Sequence, residues 1–164
     1  MTRVGIGFDA HAFDSGRPLV LGGVSIPDHA GLSGHSDADV LSHAIADALL
    51  GAAAFGDLGG HFPDDDRWKD ASSLEILEET VRKLSVAGWM PLNVDATVVA
   101  ETPRLAPWHD EMVSNVARAL SVERSQVSVK ASTTDRLGFV GRGDGMAALA
   151  IALITRRPSG DQIG

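Results

Sequence analysis

Asp9, His11 and His43 constrain this chain most, because together they supply ligands to one ion from an extended segment and from a helix. Phe8-Asp9-Ala10-His11 reads as strand, and residues two apart in a strand share a face with their Cα atoms about 6 to 7 Å apart. Asp9 and His11 can therefore reach a common metal. His43, in the helical stretch Asp39-Val40-Leu41-Ser42-His43-Ala44, completes the set. Two imidazoles and one carboxylate suit zinc, and three protein ligands with a fourth position open are the pattern of a catalytic rather than a structural zinc. The competing reading is a strand-end aspartate, a surface histidine and an ordinary helical histidine.

The 164 residues include six histidines and no cysteine, so a transition metal here must be held by nitrogen and oxygen. The length suits one domain with a sizeable core, and 44% hydrophobic with 22% charged residues is ordinary for a soluble globular protein. Asp9 interrupts the N-terminus before any apolar core of signal-peptide length, and the longest apolar run, Met146 to Ile154, is too short to span a bilayer. The expectation is a cytoplasmic protein without membrane contact. A formal charge of −8 without Lys/Arg clusters argues against nucleic-acid binding, so the charge of any anionic ligand must be met locally.

Strands and helices alternate without internal repeats. Val4, Ile6 and Phe8 alternate into one strand, and Leu19 to Ile26 reads as a second, interrupted by glycines and ended by Pro27. A helix is expected from near Ser36 or Asp37 through Leu49 or beyond, with Val40, Leu41, Ala44, Ile45, Ala48 and Leu49 on its apolar face. The breaker-rich segment 56–66 reads as a functional or mobile loop. Ser72 and Glu75 open a helix that Gly88 stops, Leu92 to Val99 is strand-like, and Pro107 starts a helix carrying Met112, Val116 and Leu120. Val127 to Val129 and Met146 to Thr155 return to strand, and 156–164 reads as a frayed tail.

His35 and Ser36 fall at the start of the His43 helix, where free N–H groups and the dipole favour an anion; a serine there also serves as a plain cap. Asp39, His43 and Asp47 share one helical face, so either carboxylate could orient His43, or the set is a solvated acidic face. Lys130-Ala131-Ser132-Thr133-Thr134-Asp135-Arg136 follows a strand with hydroxyls and amides that can clamp phosphate and an acid that can carry a hard divalent ion. The glycine-rich 138–145 matches neither phosphate-binding fingerprint and reads as a turn.

Taken in order, the segments resemble one family, the 2-C-methyl-D-erythritol 2,4-cyclodiphosphate synthases of the non-mevalonate isoprenoid pathway. The resemblance rests on Gly7 to Phe13, His35 to Val40, His43 to Gly51, Gly56 to Gly59, Phe62 to Asp66, Asn93 to Asp95, Ala131 to Thr134 and Leu137 to Gly145. It implies an α+β domain over residues 1–155, a sheet packed on one face by helices, assembled as a homotrimer around a central axis with active sites between subunits. It further implies zinc on Asp9, His11 and His43, and phosphate contacts from His35, Ser36 and Thr133, with His35 and Thr133 in catalytic roles.

By the same resemblance Asp57 and Gly59, with Leu58 between them, contact the ribose. Phe62, Pro63, Asp64, Asp65 and Asp66 form a mobile loop over the methylerythritol phosphate. The Ala100 to Ala106 segment, with Ala100, Pro103, Arg104, Leu105 and Ala106, surrounds the cytosine together with Ala131 and Ser132, and Thr134 is a further substrate contact. Asp135 carries a second ion, magnesium or manganese, bridging the diphosphate. Phe139 lines the trimer axis and Arg142 flanks it, with an isoprenoid diphosphate as the central ligand. Three positions depart from the family pattern: Asp135 and Asp144 stand where glutamate is expected, and Ala106 where a larger apolar residue is.

The implied reaction cyclises 4-diphosphocytidyl-2-C-methyl-D-erythritol 2-phosphate to the cyclodiphosphate and releases CMP. Its nucleophile is a phosphate oxygen already ionised on the substrate, which explains the lack of an activated serine, cysteine or base. The alternatives are a zinc-dependent phosphohydrolase and a non-enzymatic trimeric nucleotide-binding module.

Overall fold

The computed structural model describes residues 1–157. A long first strand, β1 (Thr2–Leu21), turns into β2 (Val24–Leu32) and then α1 (Val40–Ala53). A one-turn α2 (Leu58–His61) and α3 (Ser73–Val86) lead to β3 (Trp89–Val99), and α4 (His109–Leu120) to β4 (Val127–Ser132). A one-turn α5 (Gly138–Gly141) precedes the last strand, β5 (Gly145–Arg156). The strands form one sheet in the order β2-β1-β5-β3-β4, antiparallel except for the β3–β4 pair.

Among the described residues the sheet is covered on one face only. α1 lies across β1 and β5, and α3 and α4 extend the layer over β3 and β4. Leu41, Ile45 and Leu49 of α1 and Leu77 and Leu84 of α3 are fully buried, each removal from water stabilising by about 1.5–3 kcal/mol. The apolar alternation of β1 does not feed this core: Val4, Ile6 and Phe8 point away from the helices and are 66%, 67% and 56% exposed. The odd-numbered residues face α1, beginning with Gly5 and Gly7, where a Cβ would lie 2.1 Å from the Ala48 carbonyl and 2.0 Å from the Ala44 carbonyl. The two glycines let the helix backbone sit directly on the strand, and the next residues on that face are Asp9 and His11.

Several local expectations are corrected. Leu19 to Ile26 is not one strand but the two arms of a hairpin, because Gly22 and Gly23, both at positive φ, make its two-residue turn. Pro27 does not end β2, which runs to Leu32. α1 does not start at Ser36 or Asp37: Ala38 adopts a left-handed φ of 56°, and Asp39 is the cap, accepting from the Ser42 amide at 3.1 Å. Asp39 is fully buried and also accepts from the Gly23 amide at 2.9 Å, tying the hairpin turn to the helix start. Burial, with Asp37 nearby, pushes its carboxyl above the ordinary aspartate range.

Two segments read as irregular contain single helical turns, α2 within 56–66 and α5 within 138–145. Arg156 belongs to β5, and the Arg157 amide donates to the Gly88 carbonyl at 3.0 Å. The rest of the expected tail, 158–164, lies outside the described residues. No helix among the described residues is long and apolar enough to cross a membrane.

Candidate metal centre and adjoining cavities

Strand alternation brings Asp9 and His11 to the face beneath α1, and His43, one turn into that helix, looks down onto them. The Asp9 Oδ2 atom stands 3.0 Å from His11 Nε2 and 3.0 Å from His43 Nδ1. One ligand atom from each residue lies within 4.8 Å of the others, and this is the single group of three metal-ligating side chains found among the described residues. His11 Nε2 is buried and lacks a hydrogen bond of acceptable geometry, an unsatisfied state that a cation at the centre of the set would relieve. Two nitrogens and an oxygen converging on one point fit a divalent metal of the zinc type.

Burial acts to raise the Asp9 carboxyl, but the adjacent His11 and His43 imidazoles outweigh it and hold the group well below the usual carboxylate range. Asp9 in turn raises His11 above its ordinary value, against the opposing effect of burial. The remaining nitrogen of His43, Nε2, lies 2.9 Å from Ser73 Oγ and 3.2 Å from Ser36 Oγ. Neither expected carboxylate orients this imidazole: Asp39 is occupied with Ser42 and Gly23, and Asp47 accepts from the Leu58 amide at 3.1 Å. Both are turned toward backbone donors whose positions depend on the hairpin and on α2, which helical spacing does not reveal.

The triad opens into a cavity of about 280 Å³ that also contains His35, Ser36, Leu58, Gly59, Phe62 and Asp64. Gly34, Trp68 and Ile76 line it as well, none of them anticipated. His35 Nε2 lies 2.7 Å from the Asp65 carbonyl, and Phe62 is buried edge-on against Trp68 with ring centroids 4.8 Å apart. The 62–66 segment is therefore pinned at Phe62, while Pro63, Asp64, Asp65 and Asp66 are exposed. Asp57 caps α2 by accepting from the Gly60 amide at 2.9 Å.

A second cavity, about 290 Å³, gathers Ala100, Pro103, Arg104, Leu105, Ala106, Ala131, Ser132 and Thr133 and shares no residue with the first. Leu105, Ala106 and Ala131 also border a third space of about 390 Å³ against His109 and Met112. Glu101, which no motif singled out, receives the Thr134 amide at 3.0 Å and the Thr134 hydroxyl at 3.1 Å, fixing the bend after β4. Asp135 sits in that bend at a φ of 51°, exposed and apart from the metal triad. Phe139 is 40% exposed on α5, and Arg142 Nε donates to Asp144 at 2.9 Å.

Comparison with known proteins agrees with this geometry along nearly the whole chain. The YgbB family model matches residues 2–155. The 2-C-methyl-D-erythritol 2,4-cyclodiphosphate synthase of Salinibacter ruber is 60% identical over 153 residues, 93% of this chain and 98% of that protein. The enzyme of the same name from Moorella thermoacetica is 55% identical over 159 residues, 96% of this chain and 98% of that protein. Among solved structures, the bifunctional IspDF of Campylobacter jejuni superposes with a TM-score of 0.91 at 42% identity, covering 95% of this chain and 42% of that longer protein. A CDP complex of Plasmodium falciparum IspF superposes with a TM-score of 0.82 at 29% identity over 96% of this chain and 97% of that one. By sequence along its length and by fold, the chain belongs to the YgbB family of 2-C-methyl-D-erythritol 2,4-cyclodiphosphate synthases.

Proposed function

We propose that this chain converts 4-diphosphocytidyl-2-C-methyl-D-erythritol 2-phosphate, with release of CMP, to 2-C-methyl-D-erythritol 2,4-cyclodiphosphate, the product its relatives' names state. The 2-phosphate oxygen attacks the β-phosphorus, and the bond from that phosphorus to the oxygen bridging to the α-phosphate breaks. CMP departs with the bridging oxygen, so no water and no protein nucleophile enter the reaction. The observation that carries this reading is the triad of Asp9, His11 and His43, with its orphaned imidazole nitrogen, opening onto a cavity that also holds His35 and Ser36. Zinc held by the triad, and magnesium or manganese held through Asp135, would supply positive charge to the diphosphate oxygens.

The chain's own groups do the positioning. His35 and Thr133 steady the phosphates in flight, Ser36 contacts a phosphate, and Asp57 and Gly59 hold the ribose. Loop 62–66 covers the methylerythritol phosphate from its anchor at Phe62. The cytosine occupies the cavity bounded by Ala100, Pro103 to Ala106 and Ala131 to Thr133. That cavity and the metal cavity share no residue within one chain, which supports a complete site built from two subunits of a homotrimer. The uncovered sheet face supports this assembly: Val4, Ile6, Phe8, Leu149 and Ile151 are 42–67% exposed and would be covered by neighbours. Phe139 then lines the threefold axis, with Arg142 beside it able to hold an isoprenoid diphosphate.

Phosphorus NMR of the cytidylyl substrate incubated with the zinc- and magnesium-loaded protein tests the reading. Signals of the cyclodiphosphate and CMP in equal amounts are expected. Inorganic phosphate, or two acyclic fragments, would instead identify a metal phosphohydrolase.

A further inference from the structure

The imidazole of His43 can present a lone pair at Nδ1 only if its proton sits on Nε2, so whatever accepts that proton decides whether His43 is ready to bind a cation. A serine hydroxyl can donate as well as accept, and a donating serine at Nε2 would leave the ring in the wrong tautomer. The structure resolves this ambiguity at Ser73. Its hydroxyl, on the first residue of α3, donates to Asp37 Oδ1, and the same carboxylate accepts from the Ser73 amide through Oδ2 at 3.0 Å. A carboxylate has no proton to give back, so the single proton of Ser73 is committed to Asp37. The oxygen 2.9 Å from His43 Nε2 is then free only to accept.

We propose that Ser73 and Asp37 form a relay that, when a cation replaces the contact between His43 Nδ1 and Asp9, fixes His43 with its proton on Nε2 and its Nδ1 lone pair toward the metal position. This rests on the reading of Asp9, His11 and His43 as metal ligands. Ser73 is fully buried and His43 is 7% exposed, so water does not substitute at this contact. Ser36 is the weaker partner: its oxygen is 3.2 Å from Nε2 and already accepts from the Ala38 amide at 3.3 Å. The relay also joins two elements, because Asp37 lies before α1 and Ser73 opens α3. Ser73 and Asp37 are positioning residues, acting on the metal through His43; groups of this kind change metal affinity by about 10–100-fold when removed.

The test measures zinc affinity by competition with a chromophoric chelator for wild type, Ser73→Ala, Asp37→Asn and the double variant. It is combined with long-range proton–nitrogen NMR of His43 in each zinc-loaded protein. Ser73→Ala should bind zinc about 10–100-fold more weakly. The wild type should show a slowly exchanging, downfield His43 Nε2 proton, and Ser73→Ala should remove its shift and protection, a change that a merely structural serine would not cause. Asp37→Asn should weaken zinc binding in the wild-type background and add nothing further in the Ser73→Ala background. Wild-type affinity with an unchanged Nε2 proton in Ser73→Ala overturns the relay, as does an Asp37→Asn effect of equal size in both backgrounds. Should Ser73→Ala fail to fold, a wild-type affinity and Nε2 proton in Asp37→Asn overturns it equally. If the wild-type protein itself binds no zinc, the metal assignment fails instead, and the two failures are told apart by that one control.

Discussion

Replacing Gly7 by alanine should damage the metal centre from a position that touches no ligand. A Cβ at Gly7 would lie 2.0 Å from the Ala44 carbonyl oxygen and 2.6 Å from the Ala48 amide nitrogen. Both are helix backbone, which cannot rotate aside as a side-chain tip can. Ordinary contact begins near 3.4 Å, so α1 must move away from β1 by about 1.4 Å at that point or the strand must buckle by as much. Ala44 is the neighbour of His43, so this displacement falls on the ligand itself, where tolerance is about 0.2 Å. Overpacking of this kind costs roughly 1–3 kcal/mol, and α1 carries fully buried Leu41, Ile45 and Leu49 with it. Urea denaturation of the metal-free protein and zinc stoichiometry after dialysis measure the two effects separately. Gly51→Ala is the control: its Cβ would meet nothing nearer than 3.8 Å, and alanine in that helix should stabilise by about 0.5–1 kcal/mol. A Gly7→Ala protein with the wild-type urea midpoint and full zinc occupancy would refute the close-packing argument.

His43→Ala should abolish zinc binding and turnover together, because only a carboxylate and one imidazole remain; wild-type zinc content in that variant contradicts the ligand assignment. In the metal-free protein the stabilisation gained by the Asp9 carboxylate is complete above the ordinary aspartate pKa of about 4 and is lost as pH falls toward the depressed folded value. The contribution of protonated His11 runs oppositely, complete below about 6.5 and lost as pH rises through its raised pKa. Asp9→Asn should therefore flatten both limbs of the urea-midpoint profile, and a profile parallel to wild type rejects the coupling. Asp135→Glu should leave magnesium dependence of turnover unchanged or strengthen it, since it lengthens the reach of the acid; a large loss of activity shows that the bend at Asp135 is fitted to the shorter side chain. Ile6→Asp, at a position 67% exposed on the sheet face opposite the helices, should dissociate the proposed trimer and abolish turnover while the chain stays folded, and light scattering that reports an active monomer defeats the proposed shared site.

The grouping of Asp9, His11 and His43 was legible because each member obeys a local rule. Asp9 and His11 follow the two-residue period of a strand, and His43 sits where helical periodicity is unbroken. The start of α1 was misread because a serine followed by an acid imitates a cap, and nothing local announces that Ala38 takes a left-handed φ. The Ser73 contact was invisible for a different reason. Ser73 reads as an ordinary residue at a helix start, and it reaches His43, 30 positions earlier, only because α3 packs beside α1. Glu101 is likewise defined by the backbone of a bend 33 positions away. Helix–helix and strand–loop juxtapositions carry no period, so the residues that support the ligands stay hidden where the ligands do not.

The same distinction explains β1. Its apolar alternation identifies a strand with one buried face, and by that signal Val4, Ile6 and Phe8 should point to the core. They point away from it, and the helix side is lined by Gly5, Gly7, Asp9 and His11 instead. Alternation reports that a face is apolar but not which neighbour covers it. On this strand the close-packed face needs residues without side chains to admit α1, and then residues with ligands to meet His43, which leaves hydrophobic side chains only for the other face. That division places Asp9 and His11 beneath the helix layer and leaves an apolar surface exposed on the opposite face. A chain that buried Val4, Ile6 and Phe8 under α1 would lose both the helix approach and the two strand ligands at once.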